Sequence, residues 1–286
     1  MSHLDTLVGQ ALAGGFGLDP ARQRVAVAFT TTQAVRHRSR AGGYRNEVLG
    51  LRLGPAVGSC AVEPGTLTAS TLDDCAGAGL GELLAHPLPA VRVAALDALL
   101  MVARPHSPGN GARPYPLPAG DSLAKSRARA RAVVELLPLR RVRTVLVVGV
   151  VNSLLEQLRE HGVGYLPCDL KGGTTEWGEP VHTDAVEQLG ACDALLVSGM
   201  TLGNGSFDTF LDHARRTGKP LVMFAQSGSA VLPRFLGHGV SAVCAEPYPF
   251  FWLDGGPGVV HRYGGPGRGH RADGRPGADR RTGGGR

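Results

Sequence analysis

The chain has 286 residues, 43% hydrophobic and 19% charged, enough to bury a full core and to form two domains of ordinary soluble composition. Its formal net charge of +6 sits mostly at one end: Gly264 to Arg286 holds six arginines against Asp273 and Asp279, a net +4, which leaves +2 for the rest. The basic balance therefore does not describe the folded body, and no apolar run is long enough to span a bilayer.

Residues 2–14 predict an opening helix with Leu4, Leu7, Val8 and Leu12 on one face. Asp5 and Gln10 interrupt the apolar character from Leu4 to Phe16, so the segment does not resemble a signal peptide. Strands are expected at Arg24–Thr30, Glu47–Leu53 and Ala56–Val62, with a basic exposed loop from Arg36 to Arg45 and a polar loop running to Gly79. Pro89 opens a helix carrying Val91, Ala94, Ala95, Ala98, Leu99 and Val102 at helical spacing. The order of three strands and then a helix predicts a small α+β domain. Pro105 to Gly120, rich in proline and glycine, reads as a linker or lid, and Ser122 to Leu137 as a solvent-edged helix.

From Arg143 to Val243 one unit recurs: a short apolar run, a small polar turn, and an amphipathic helix. Val145–Val151, Ala194–Ser198 and Leu221–Ala225 are apolar enough for buried parallel strands, with Val163–Leu166 and Val240–Ala245 as shorter ones. Ser153 to Glu156 has the pattern of a capping box, Thr183–Leu189 reads as a further helix, and Ser206 as the cap of the helix bearing Phe207, Phe210, Leu211 and Ala214. His213 falls on the polar side of that helix. In parallel sheets ligands bind where strand carboxyl ends meet helix amino ends, which places a site at the turns after these strands.

Three turns and one acid are the candidates. Gly149, Asn152 and Ser153 open a helix whose free N–H groups would favour an anion, although a capped structural turn explains them as well. Thr201, Asn204 and Ser206 stand among glycines that let a backbone approach a ligand, and Gln226 and Ser227 form a similar turn. Asp169 lies just past the second strand, where such folds often place an acid that orients a ligand. No dinucleotide fingerprint, P-loop or nucleophile elbow is present. For metal, no pair among His161, Cys168, Asp169, His182, His213, Cys244 and Glu246 has compact zinc-type spacing. The cluster Tyr248, Phe250, Phe251 and Trp252 is read first as packing between the domains, with stacking of a planar ligand on these rings as the alternative.

Cys60, Cys75, Cys168, Cys192 and Cys244 are an odd, scattered set without a CxxC, read as reduced thiols of a cytoplasmic protein. The tail has no aromatic residue after Tyr263 and no regular RGG repeat, so a disordered, passive end is expected and nucleic acid is not the expected partner.

Val148 to Leu158, Asp193 to Ser206 and, more loosely, Val93 to Leu99 resemble the bacterial and archaeal putative heavy-metal-chelation family, whose function is unassigned. In the last segment Asp97 stands where the family usually has Asn, and Ala225-Gln226-Ser227 replaces its usual Gly-Pro-Ser turn. The resemblance implies an enolase-N-terminal-like domain joined to a Rossmann-like domain, with an interdomain cleft.

The reading is an α/β protein: a small α+β enolase-N-terminal-like cap over residues 1–120, a Rossmann-like parallel-sheet domain over 121–262, and a disordered basic tail over 263–286. Its expected function is to hold a metal chelate or a small polar, carboxylate-bearing metabolite in the cleft, through Gly149, Asn152, Ser153, Asp169, Thr201, Asn204, Ser206, Gln226 and Ser227. A metal held by the protein itself would fall to Asp169, Cys168 and His182. The alternative is a lyase or transferase with an adenosyl-type cofactor on Asp169; a divalent metal ion is the other cofactor left open. Apolar surface on the cap would allow a homodimer.

Overall fold

The computed structural model describes residues 2–37 and 43–265. The tail beyond Gly265 and the tip of the basic loop, residues 38–42, lie outside the described residues. The first helix, α1 (His3–Leu12), starts at Ser2, whose hydroxyl accepts the Asp5 N–H while Asp5 accepts the Ser2 N–H.

β1 (Val27–Arg36), β2 (Gly43–Leu53) and β3 (Ala56–Val62) form an antiparallel sheet in chain order. The expected polar loop contains α2 (Ala69–Cys75), capped by Thr68, and is followed by α3 (Leu80–Leu84). Across the sheet lies α4 (Pro89–Ala103), apolar all round and buried along most of its length. At Gly58 the strand touches it so closely that a Cβ would lie 2.1 Å from the Ala94 carbonyl oxygen.

The segment expected as a linker supplies β4 (Arg113–Leu117). Its prolines 114 and 116 sit in a strand that pairs on one side only, where a missing N–H costs no ladder bond. Next come α5 (Ser122–Val134), β5 (Thr144–Val148), α6 (Asn152–Glu160), β6 (Gly164–Cys168), β7 (Ala194–Ser198), α7 (Met200–Gly203), α8 (Phe207–Thr217), β8 (Leu221–Ala225), β9 (Ala242–Ala245) and β10 (Gly258–Gly264). The large sheet has the order β4-β10-β9-β8-β7-β5-β6, parallel from β9 to β6, with β10 antiparallel to both its neighbours. From β5 the chain runs outward first to β6, then through β7, β8 and β9 on the other side. The crevice between β5 and β7 is therefore a topological switch point.

Period-two alternation sends the strand residues to two cores. Val145, Val147, Leu196, Val222 and Phe224 pack with α5 and α6. Leu146, Leu195, Val197, Met223 and Val243 face the other way, into one continuous core with α4, α8 and the small sheet.

Several local expectations are corrected. Residues 183–188 form turns, not a helix: the Asp184 carboxylate accepts the Val186 N–H at 2.8 Å, an Asx turn that competes with helix. Ser153 does not cap α6, and Ser206 stands at the N-cap of α8 without a side-chain capping bond. Ser153 is inside α6, bonded to the Ser126 hydroxyl at 2.9 Å, and the Ser206 hydroxyl donates to Asn204 at 2.7 Å. His213, expected on the solvated side, is buried. β10 follows the strand expected to be last.

Among the described residues no helix is long and apolar enough to cross a membrane. All five cysteines are buried free thiols.

Candidate functional site

Between the small sheet and the carboxyl ends of the parallel strands lies a cleft of about 570 Å³. The large sheet contributes Gly149 after β5, Asp169 after β6, Ser198 at the end of β7, and Gln226 and Ser227 after β8. The opposite wall comes from β2 and β3, through Arg45, Asn46, Val48, Ala61 and Glu63. The walls are stitched at one end. The Ser59 hydroxyl donates to the Gln226 carbonyl at 2.8 Å, the Ser227 hydroxyl accepts the Ala61 N–H at 2.8 Å, and Gly228 N–H reaches the Ser59 carbonyl at 2.9 Å. An exposed ion pair, Lys171 to Glu63 at 3.2 Å, spans them at another point. Tyr248 meets Phe29 of β1 edge-on, 5.2 Å between ring centres, so this member of the aromatic cluster packs against the small sheet.

The turn after β5 lines the cleft from Gly149 to Ser153. Gly149 takes φ +87°, and a Cβ there would lie 2.8 Å from that of Ser198 on the next strand. At the start of α6 no side chain caps the helix, and the N–H groups of Asn152 and Ser153 make no hydrogen bond among the described residues. The Asn152 side-chain oxygen is shielded from solvent and has no partner among the described residues. Asp169 is occupied: one oxygen accepts the Val150 N–H and the other the Lys171 N–H, both at 3.1 Å. Its carboxylate fixes the turn that presents Asn152.

Deeper in the cleft is a group that sequence reading missed. Arg129, on α5, has a side chain only 7% exposed, and its Nε donates to Glu246 at 2.5 Å. Glu246 also accepts from the Gln226 amide at 2.8 Å and the Phe251 N–H at 2.7 Å. The guanidinium carbon lies 5.9 Å from the Phe224 ring centre and 6.0 Å from that of Phe251. Arg129 sits in a run of alternating Arg and Ala that reads as a solvated face. Only the tertiary position of Glu246, more than a hundred residues away, turns it inward.

Six of the nine expected ligand residues, Gly149, Asn152, Ser153, Asp169, Gln226 and Ser227, thus line one cleft. Thr201, Asn204 and Ser206 do not. The Thr201 hydroxyl is buried and donates back to the Ser198 carbonyl at the end of β7 at 2.7 Å, and Asn204 pairs with Ser206 on the exposed side. Cys168, Asp169 and His182 are neighbours through a backbone bridge between Cys168 and His182, but they do not converge as a donor set. Among the described residues no group of three or more His, Cys, Asp or Glu is placed to hold a metal ion. Burial first, then the Asp184, Cys192 and Asp169 charges, pushes the Cys168 thiol up to about 11 and disfavours the thiolate a metal needs.

Comparison with known proteins places the second half of this chain. Residues 132–245 match the DUF364 family model, described as putative heavy-metal chelation. Two crystal structures of DUF364 proteins of unknown function share the fold. One, from Desulfitobacterium hafniense, has a TM-score of 0.56 at 15% identity, over 90% of this chain and 95% of that one. The other, from Pyrococcus horikoshii, has a TM-score of 0.57 at 14% identity, over 91% and 98%. No curated protein matches the chain. The matched DUF364 segment includes Gly149, Asn152, Asp169, Ser198 and Gln226, the large-sheet wall of the cleft.

Proposed function

We propose that this protein holds a small polar, carboxylate-bearing ligand, either a metabolite or a metal chelate, in the cleft between a cap built on the small sheet and the parallel-sheet domain. The observation that carries this reading is the amino end of α6, where Asn152 and Ser153 line the cleft with unpaired N–H groups and the Asn152 oxygen is buried without a partner among the described residues. The N–H groups suit an anionic oxygen, and the Asn152 oxygen a donor on the same ligand. Asp169 positions the turn. Since Cys168, Asp169 and His182 do not form a donor set, heavy-metal binding of the kind the family description suggests would bring the metal in as cargo, already held by the ligand's own donors.

A lyase or transferase with an adenosyl-type cofactor is less well supported, because both oxygens of Asp169 are already engaged by backbone N–H groups. The test is native mass spectrometry with elemental analysis on protein purified without a metal-affinity tag. The expected result is a stoichiometric carboxylate-bearing molecule, with or without its metal, that Asn152→Ala fails to retain. Retention of a ligand lacking any carboxylate, or equal retention by Asn152→Ala, would overturn the reading.

A further inference from the structure

We infer that Arg129 selects the ligand, and that it selects a planar aromatic carboxylate bearing a second hydrogen-bond acceptor. The inference rests on the cleft being the binding site and names the class of molecule that fits it. An arginine whose side chain is 93% shielded is normally saturated by partners. Here only Nε is used, on Glu246; among the described residues the two terminal nitrogens make no hydrogen bond, and the side chain lines the cleft.

The guanidinium is held in place. Glu246 is anchored by Gln226 and by the Phe251 N–H, and Phe224 and Phe251 lie against the guanidinium. With Nε committed, the remaining edge presents two parallel donors, the arrangement that matches the two oxygens of a carboxylate. Charge favours the same class. Glu246 already balances Arg129, so the pair is neutral overall and poorly suited to a dianion such as phosphate.

A second observation describes the rest of the molecule. Trp252 lines the same cleft, and its indole N–H is buried with no partner among the described residues. Phe251, which packs against Arg129, stands edge-on to Trp252 with 4.8 Å between ring centres. The ring wall therefore runs from Arg129 through Phe251 to Trp252, whose N–H has yet to find a partner among the described residues. A flat ring would lie along Phe251, and an acceptor on that ring would meet Trp252. Carboxylate beside a ring acceptor is also the donor pattern of a planar bidentate chelator.

Picolinate, benzoate and inorganic phosphate are the probes, titrated by fluorescence in a Trp177→Phe background, where Trp252 is the remaining tryptophan. Picolinate should bind saturably and more tightly than benzoate, and phosphate should compete poorly. Since removing one partner of a buried ion pair can unfold a protein, the double variant Arg129→Gln with Glu246→Gln removes both charges together, and Arg129→Lys keeps the charge but loses the fork. Both should weaken picolinate by about tenfold or more while melting as folded proteins. Trp252→Phe, followed by calorimetry, should lower picolinate affinity to that of benzoate.

Undiminished picolinate binding by the folded double variant, or phosphate binding more tightly than picolinate, would overturn the inference alone. So would failure of picolinate to bind protein from which native mass spectrometry has recovered and removed a different carboxylate. Failure of picolinate together with recovery of no carboxylate ligand would overturn the cleft reading as well.

Discussion

Asp97 on α4 accepts the backbone N–H of Ala230 at 2.7 Å through one oxygen and that of Ser59 at 3.0 Å through the other. One fully buried carboxylate thereby joins the helix, the small sheet and the turn after β8 that stitches the two walls of the cleft. Removing it leaves two buried N–H donors without a partner, each worth about 1–3 kcal/mol. Asp97→Ala should therefore lose roughly 3 kcal/mol or more in urea unfolding. A loss under 1 kcal/mol would show that the turn relaxes and finds other acceptors.

The same carboxylate sets a pH trend, and a histidine sets the opposite one. Burial, opposed by the hydrogen bonds of Ala230 and Ser59, raises Asp97 from 3.8 to about 7. Between those values the folded state binds a proton that the unfolded chain has released, so stability falls as pH rises through that window. Burial, with the nearby His261 adding to it, lowers His106 from 6.5 to about 3. There the unfolded chain binds the proton first, so stability is lost as pH falls below 6.5. The two windows overlap and offset each other. Asp97→Asn should make the protein acid-labile between pH 7 and 4, and His106→Gln should make it more stable towards acid. Urea midpoints at pH 5 and 7.5 for both variants decide this, and parallel behaviour of the two would refute it.

Gly149 is required by geometry as well as by its position in the cleft. Alanine there meets a positive φ and a Cβ contact of 2.8 Å with Ser198. Gly149→Ala should cost about 1–3 kcal/mol and displace the turn that presents Asn152. A thermal melt reads the first effect, and ligand retention in native mass spectrometry the second. An unchanged melting temperature would mean that β5 and β7 separate to admit the methyl group.

The sequence showed the parallel strands plainly because they are buried on both faces, which leaves apolar runs such as Val145–Val148 and Leu221–Ala225 with little else to form. The turns at their ends were legible for the same reason. What short-range pattern could not show is where a polar side chain finds its partner. Ser153 has the spacing of a cap, but a serine on α5 takes its hydroxyl. Arg129 looks solvated until Glu246 arrives from beyond β9, and Thr201 looks available until α7 folds it onto Ser198. β4 and β10 were missed because one contains two prolines and the other follows a long irregular stretch.

Lys125 ties α5 to the segment after β9. It is 2% exposed, and its ammonium donates to the carbonyls of Asp254 at 2.7 Å and Gly256 at 2.6 Å. These bonds hold the stretch carrying Phe251 and Trp252 against α5. Lys125→Met keeps the packing of the stem but removes the donors, so it should lose about 1–3 kcal/mol and speed amide exchange at Phe251 and Leu253. Exchange accelerated equally across β5 and β7 would instead indicate global destabilisation and no specific hold on this segment.

Asn152 and Asn204 make a paired test of where the ligand lies. Both are asparagines in turns that follow parallel strands, and by sequence alone they are equivalent candidates. In the fold Asn204 accepts from the Ser206 N–H at 3.1 Å and from its hydroxyl, outside the cleft. Asn152 lines the cleft, and its buried side-chain oxygen has no partner among the described residues. A ligand donor meeting that oxygen would contribute about 1–1.5 kcal/mol, close to tenfold in affinity. Asn152→Ala should therefore weaken retention of the co-purified ligand about tenfold, and Asn204→Ala should leave it unchanged. If Asn204→Ala were the damaging variant, the site would lie on the outer side of α7, and the cleft would be a packing space between the sheets.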